Sequence, residues 1–285
     1  MKRQSSSPKR NLTEIHIPRR VKTGELWQLG KHRILCGDSR DMEQVARLMQ
    51  GERATLTITS PPYNLGKSAL LAENRYLKES RYLNSTDKRT TFEYLALLET
   101  ITRNALEVSE TVIVNLQMLA GNKLAFLEYL YLLRHNLADI AIWDKQIFPP
   151  LIGKNILSNQ YEFLLFFSSR KRGKNATRTI HTANFRGRVS NVYQGKPQRH
   201  NAYHKYHAAT FPTHLPKWLM ETFDSKRGII FDPFMGTGTT LMVAEETGRR
   251  CFGMEIDPLY CDIILHRFEA MAGQSASLIE RRASR

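Results

Sequence analysis

An apolar run that breaks into a glycine-rich turn and then a helix constrains this chain more than any other part of its sequence. The segment reads Phe231-Asp232-Pro233-Phe234-Met235-Gly236-Thr237-Gly238-Thr239-Thr240, and the next apolar run ends at Glu255. Around it the chain alternates. Apolar and β-branched runs at 34–36, 54–59, 111–116, 139–143, 161–167, 228–231 and 251–255 read as strands. Helical spacing of apolar residues predicts helices over 41–50, 92–109, 119–134, 215–223, 239–247 and 258–270. Repeated strand–helix alternation implies an α/β fold, a mostly parallel sheet with helices on both faces.

In such a sheet, glycines after a strand let the backbone approach a ligand closely. A carboxylate about twenty residues on, ending the next strand, can hold both hydroxyls of a ribose. A phosphate-cradling loop ends in Gly-Lys-Ser/Thr, but here Thr239 follows Gly238. A dinucleotide fingerprint wants a third glycine where Leu241 stands. What remains is a nucleoside without a pyrophosphate. That suits S-adenosylmethionine, with Asp232 toward the cationic methionine end and Glu255 on the ribose.

A second turn, Thr59-Ser60-Pro61-Pro62-Tyr63-Asn64, also ends a strand. Ligands of open α/β sheets sit beyond the carboxyl ends of strands, so this turn is expected to face the same crevice. Two prolines stiffen it and leave the Pro61 carbonyl outside the ladder. That carbonyl and the Ser60 hydroxyl form two acceptors for the two N–H donors of a base amino group. Tyr63 offers a flat face for an extruded base. A proline-rich turn with an aromatic is common on its own; its pairing with the glycine-rich turn makes it specific.

With both turns in hand, the chain resembles the exocyclic-amino DNA methyltransferases, whose catalytic motif is Asp/Asn/Ser-Pro-Pro-Tyr/Phe. It is most similar to their permuted β class, in which the catalytic motif precedes the cofactor motif, and the likeness runs from about residue 24 to residue 271. It includes Leu35-Cys36-Gly37-Asp38, where the family places an acid near the cofactor adenine. It also includes Ile142-Trp143-Asp144-Lys145, the run Tyr161-Glu162-Phe163-Leu164-Leu165-Phe166-Phe167, and Phe211-Pro212-Thr213-His214-Leu215-Pro216. The resemblance implies a Rossmann-like S-adenosylmethionine-dependent methyltransferase fold with a seven-stranded sheet and a basic target-recognition insertion. The implied catalytic residues are Ser60, Pro61, Pro62 and Tyr63. The implied cofactor residues are Asp38, Asp232, Pro233, Phe234, Gly236, Gly238, Thr239, Thr240 and Glu255. Ser60 and the Phe-Pro-Thr-His form of the later element resemble cytosine-N4 enzymes, whereas Asn64 is common among adenine-N6 enzymes. Cytosine is the preferred reading and adenine the alternative.

Charge narrows the class of partner. The net charge is +15, and residues 168–210 hold ten Lys and Arg with no Asp or Glu. Residues 1–23 hold seven Lys and Arg against one acid. Clustered cations on a neutral body favour a polyanion, which the resemblance implies is double-stranded DNA. Arg170, Lys171, Arg172, Arg186, Arg188, Asn191, Gln194 and Arg199 are candidate DNA contacts, since Arg, Asn and Gln read base edges and phosphates. Histidines 181, 200, 204 and 207 have no nearby acids or cysteines, so no metal is expected.

Three unpaired cysteines, with no Pro-Cys pair, argue against covalent attack on cytosine carbon 5. No apolar run is long enough to span a membrane and no secretory leader is visible, so a cytoplasmic protein of a bacterium, archaeon or phage is expected. The expected organisation has five parts: a flexible arm over 1–23, a catalytic part over 24–167 with a mobile insertion at 65–91, a recognition region over 168–210, a cofactor-binding part over 211–271 and a flexible tail over 272–285. A restriction endonuclease, if one accompanies it, is a separate protein; the state is monomer or homodimer. The rival readings are an RNA or protein methyltransferase and a catalytically inactive DNA-binding protein of the same fold.

Overall fold

The computed structural model describes residues 16–64, 88–147, 155–197 and 211–281. The strands are β1 (Leu26–Leu29), β2 (His32–Cys36), β3 (Ala54–Thr59), β4 (Ser109–Leu116), β5 (Leu137–Asp144), β6 (Tyr161–Ser168), β7 (Val192–Gln194), β8 (Ile229–Asp232), β9 (Arg250–Glu255) and β10 (Ser277–Glu280). The helices are α1 (Met42–Met49), α2 (Thr91–Val108), α3 (Lys123–Leu132), α4 (His214–Phe223), α5 (Thr239–Glu246) and α6 (Pro258–Ala272). All strands join one sheet in the order β10-β1-β2-β9-β8-β3-β4-β6-β5-β7.

The seven strands expected from the sequence form the contiguous centre, from β2 to β5. Within it β2, β9, β8, β3 and β4 run parallel, and β6 lies antiparallel to both its neighbours. The sheet has ten strands rather than seven because β1, β7 and β10 extend its edges. Each is three or four residues long. β7 and β10 are also largely exposed, so neither carries the apolar signature of an inner strand.

Central strands are apolar on both faces, and alternate residues feed two cores. Ile34, Ile113, Phe166 and Ile230 pack with Leu215, Leu219, Leu241 and Ile264 of α4, α5 and α6. Leu35, Val112, Leu165 and Phe231 pack on the other side with Leu48, Leu98 and Tyr129 of α1, α2 and α3. Helix starts are fixed by local chemistry. Asp41 caps α1 through the Glu43 and Gln44 amides, Thr90 and Glu93 form a reciprocal capping box on α2, and Asp257 caps α6 ahead of Pro258.

Both expected flexible ends are partly packed. The Arg20 and Val21 amides donate to Asp262 Oδ1 at 2.9 and 3.0 Å, and the Arg20 guanidinium holds both oxygens of Glu269. The described end of the arm is therefore docked on α6. In the tail, β10 pairs antiparallel with β1, so Leu278 faces Trp27 across the ladder. The expected insertion lies outside the described residues over 65–87; Lys88 to Thr90 already lead into the capped start of α2.

Strand register gathers one rim. Cys36 pairs with Glu255, Asp232 with Gly253, Thr59 with Val114, Leu116 with Phe163, and Asp144 with both Tyr161 and Gln194. The carboxyl ends of the parallel strands and the start of β6 thus share an edge. Both motif turns leave the sheet there.

Candidate active site

The Ser60–Asn64 turn leaves β3 at this rim and is pinned from several sides. The Asn64 side chain donates to the Arg89 carbonyl at 3.0 Å and accepts from the Arg89 amide at 2.6 Å, tying the turn to the start of α2. Asn64 holds a φ of 56°, a left-handed conformation that Asn tolerates better than most residues. Asn122 Nδ2 donates to the Tyr63 carbonyl at 2.8 Å.

The Tyr63 side chain is held at its polar tip. Its hydroxyl lies 2.7 Å from Glu162 Oε2, 2.9 Å from Asn115 Oδ1 and 3.2 Å from Ser60 Oγ. One phenolic proton faces two acceptors, and the Glu162 carboxylate is the nearer. Lys145 Nζ approaches the other Glu162 oxygen at 3.3 Å, and both side chains of this pair are mostly buried. Neither Glu162, Lys145, Asn115 nor Asn122 stood among the expected site residues. A signal was present: Glu162 is the one charged residue in an otherwise apolar strand, Tyr-Glu-Phe-Leu-Leu-Phe-Phe-Ser. A buried acid without a structural partner in its own strand points to a site.

The glycine-rich turn leaves β8 beside the first turn. Asp232 is buried and accepts from the Phe234 amide at 3.0 Å, from the Thr59 hydroxyl at 3.2 Å and from the Thr240 hydroxyl. Burial pushes its carboxyl up to about 6 against those donors. Gly238 sits at φ 83°, and a Cβ there would lie 2.8 Å from Ile264 Cγ1, so the turn closes against α6 only with glycine. Thr239 and Thr240 are buried at the start of α5; Pro233 is buried beside Asp232 and Phe234 is partly buried against the α1–α3 core. Glu255 Oε2 accepts from the Gly236 amide at 2.8 Å and Oε1 from the Asp257 amide at 3.0 Å. Burial raises this carboxyl to about 7 in spite of those bonds.

Asp38 follows β2 on the same rim. Arg40 Nε bridges both its oxygens at 3.0 and 2.9 Å. Burial works to raise the Asp38 carboxyl, but the hydrogen bonds from Arg40 outweigh it and hold the group below its ordinary value. Any ligand hydrogen bond to this carboxylate shares it with Arg40.

The basic block splits between the two rims. Ser168 pairs with Thr111 at the amino end of β4, so Arg170, Lys171 and Arg172 lie on the edge opposite the motif turns. Arg170 is paired there with Glu110 at 2.9 Å. The chain then crosses the α4 face, with Ile180, Ala183 and Val189 packed on that core, and Arg186 and Arg188 exposed along the way. It reaches the carboxyl rim at β7, whose parallel pairing with β5 places Gln194 beside Asp144. Gln194 Nε2 donates to Asp144 Oδ2 at 3.2 Å, and the exposed Asn191 accepts the Ile142 amide through its carbonyl. Tyr193 stacks on Trp218 with centroids 4.3 Å apart, and Arg188, Ser190, Gln194 and these rings line a groove of roughly 470 Å³. A larger groove, roughly 720 Å³, surrounds the buried Arg249–Asp224 pair at the amino rim, remote from both motif turns. Arg199 and His200, His204 and His207 lie outside the described residues.

The site therefore comprises two turns on one rim, each presenting buried or half-buried polar groups. The DNA methylase family profile, covering N6 and N4 enzymes, matches residues 54–266. Among curated proteins, the Type II methyltransferase M.MthZI of Methanothermobacter thermautotrophicus is 24% identical over 88% of this chain and 80% of its own length. The Type II methyltransferase M.ScaI of Streptomyces caespitosus is 39% identical over 66 residues, 23% of this chain and 22% of that protein. Among solved structures, the cytosine-N4-specific PvuII DNA methyltransferase superposes with a TM-score of 0.61 at 17% identity, over 89% of this chain and 98% of that one. The M1.HpyAVI–SAM complex superposes with a TM-score of 0.52 at 16% identity, over 82% and 98%. The fold is the Rossmann-like fold of these methyltransferases, and the chain belongs to the N6/N4 DNA methylase family.

Proposed function

We propose that this DNA methyltransferase moves the methyl group of S-adenosylmethionine onto the N4 amino group of cytosine in double-stranded DNA. The observation that carries the reading is the Thr59–Asp232 hydrogen bond, which sets the Ser60–Tyr63 turn directly against the glycine-rich turn. A base held by the first turn and a nucleoside held by the second would then be neighbours.

The donor set suits the cofactor. Asp232 offers a buried carboxylate for a cationic centre, and Glu255 offers a second for a vicinal diol. Gly238 lets the turn between them close against Ile264, and Gly236 adds no side chain to it. Pro233, Phe234, Thr239 and Thr240 shape this pocket, and Asp38 lies on the same rim toward the adenine end. When bound, the sulfonium supplies an activated methyl group with its own leaving group. Ser60 Oγ and the Pro61 carbonyl would accept the two amino hydrogens, and Pro62 and Tyr63 would fix the ring plane. Orientation and exclusion of water supply most of the rate, and extrusion of the base costs a few kcal/mol.

Arg186, Arg188, Asn191 and Gln194 would contact DNA from the side of the rim, together with Arg199. Ser60 at the head of the motif and the likeness to a cytosine-N4-specific structure favour cytosine; Asn64 favours the alternative, adenine N6. The Type II relatives support a setting in which a separate restriction endonuclease cuts the same site. Digestion of methylated duplex DNA to nucleosides followed by mass spectrometry separates the readings. N4-methyl-2′-deoxycytidine supports the first, N6-methyl-2′-deoxyadenosine replaces it with the second, and neither product overturns both.

A further inference from the structure

A secondary amine formed from an amino group must lose a proton, and the structure holds a route for it. Ser60 Oγ lies 3.2 Å from the Tyr63 hydroxyl, which lies 2.7 Å from Glu162 Oε2. Each hydroxyl has one proton to give and lone pairs to receive. If Ser60 accepts an amino hydrogen from the base, its own proton is left to point at Tyr63, whose proton points at the carboxylate. The chain of donors then runs one way, from the base to Glu162. Three elements converge to make it: the turn after β3, the end of β4 through Asn115, and the start of β6.

We infer that Glu162 is the final acceptor of the proton released on methylation, reached through Ser60 and Tyr63. The inference rests on the amino-transfer reading above, for either base. The balance is closed. The amino nitrogen forms a bond to the methyl carbon as the sulfur–carbon bond breaks, leaving a positive charge on the base. An N–H bond then breaks toward Ser60 Oγ, the Ser60 proton passes to Tyr63, and the Tyr63 proton bonds to Glu162 Oε2. The base ends neutral and Glu162 ends neutral, with no oxidant or reductant involved. Among the described residues, the charged or titratable groups facing Glu162 are Lys145, following β5, and Tyr63; Asn115 is the neutral neighbour. Lys145 sits on the oxygen that the relay does not use, so the receiving oxygen stays open to Tyr63. Glu162 acts through two other residues, so it is a positioning and relay residue and never touches the base.

The test is single-turnover methyl transfer to duplex DNA, at saturating cofactor, for wild type, Glu162→Gln, Tyr63→Phe and the double variant. Cofactor and DNA binding, measured separately, report that each variant is folded. Each single variant is expected to be at least about 100-fold slower in the methyl-transfer step at unchanged cofactor and DNA affinity, and the double variant no slower than either. A Glu162→Gln enzyme within a few-fold of the wild-type rate, or a double variant slowed by the product of the two single effects, overturns the relay and leaves Glu162 as a brace for the Tyr63 ring. Failure of the wild type to form any methylamino base would instead overturn the proposed function, before the variants are compared.

Discussion

The Thr59 hydroxyl donates to Asp232 Oδ1 across 3.2 Å, joining the last residue of one strand to the last residue of its parallel neighbour, 173 positions later in the chain. Both residues are almost fully buried. The bond couples the turn that would hold the base to the turn that would hold the cofactor. It also favours the ionised form of Asp232, which burial pushes up to about 6.

Thr59→Val keeps the shape and removes the donor. Stability is expected to fall by about 1 kcal/mol, the net worth of one hydrogen bond. The Asp232 carboxyl then rises further, so cofactor affinity should drop several-fold at pH 6.5 and less at pH 8.5, where the acid ionises regardless. Calorimetric titration at the two pH values measures this difference.

Glu255 gives a pH dependence of opposite sign for binding and for stability. Its folded value is raised to about 7 from an ordinary 4.5. Ribose hydroxyls donate best to the ionised form, so cofactor affinity should climb as pH rises through 7. In the ligand-free protein, a raised acid contributes stability that is fully present below about 4.5 and lost as pH rises through 7. The loss is at most about 3 kcal/mol by linkage. Glu255→Gln should remove both trends, binding weakly at every pH yet standing closer to wild type in urea at pH 5 than at pH 8, where the variant should be the more stable.

Gly238→Ala places a methyl group 2.8 Å from Ile264 Cγ1 at a φ of 83°. The expected cost is roughly 1–3 kcal/mol from backbone strain and contact together. Pairing it with Ile264→Ala should recover only the contact part, because the φ penalty remains. Urea midpoints of the three proteins resolve the two contributions.

The division of the basic block between opposite rims predicts unequal effects on DNA. Arg188→Ala should weaken binding to all sequences and lower the salt slope by about 1. Arg170→Ala, which removes the partner of Glu110 on the far rim, should leave both unchanged. Fluorescence anisotropy over a salt series distinguishes the two.

Much of the frame was legible because inner strands and their covering helices advertise themselves by apolar pattern. Ala54–Thr59 and Arg250–Glu255 read as strands, and their register then dictates which turns share a rim. The edge strands were not legible, since β7 at Val192–Gln194 is short and mostly exposed, and its place depends on backbone pairing with β5. The Ser60 and Gly236 turns stood out by composition. Glu162 showed only as the lone charge of an apolar strand and Asn115 not at all, because the meaning of each comes from a partner 99 or 52 positions away. Arg170 and Arg188 look alike in sequence, and only the crossing of the chain over α4 separates them.

The most direct test is transfer of a labelled methyl group from S-adenosylmethionine to mixed-sequence duplex DNA by wild type and Tyr63→Ala, with cofactor binding checked in both. The account predicts label in DNA with wild type and a loss of at least about 100-fold in the variant at unchanged cofactor affinity. No label in DNA from a wild-type protein that binds the cofactor, or full transfer by Tyr63→Ala, would contradict it.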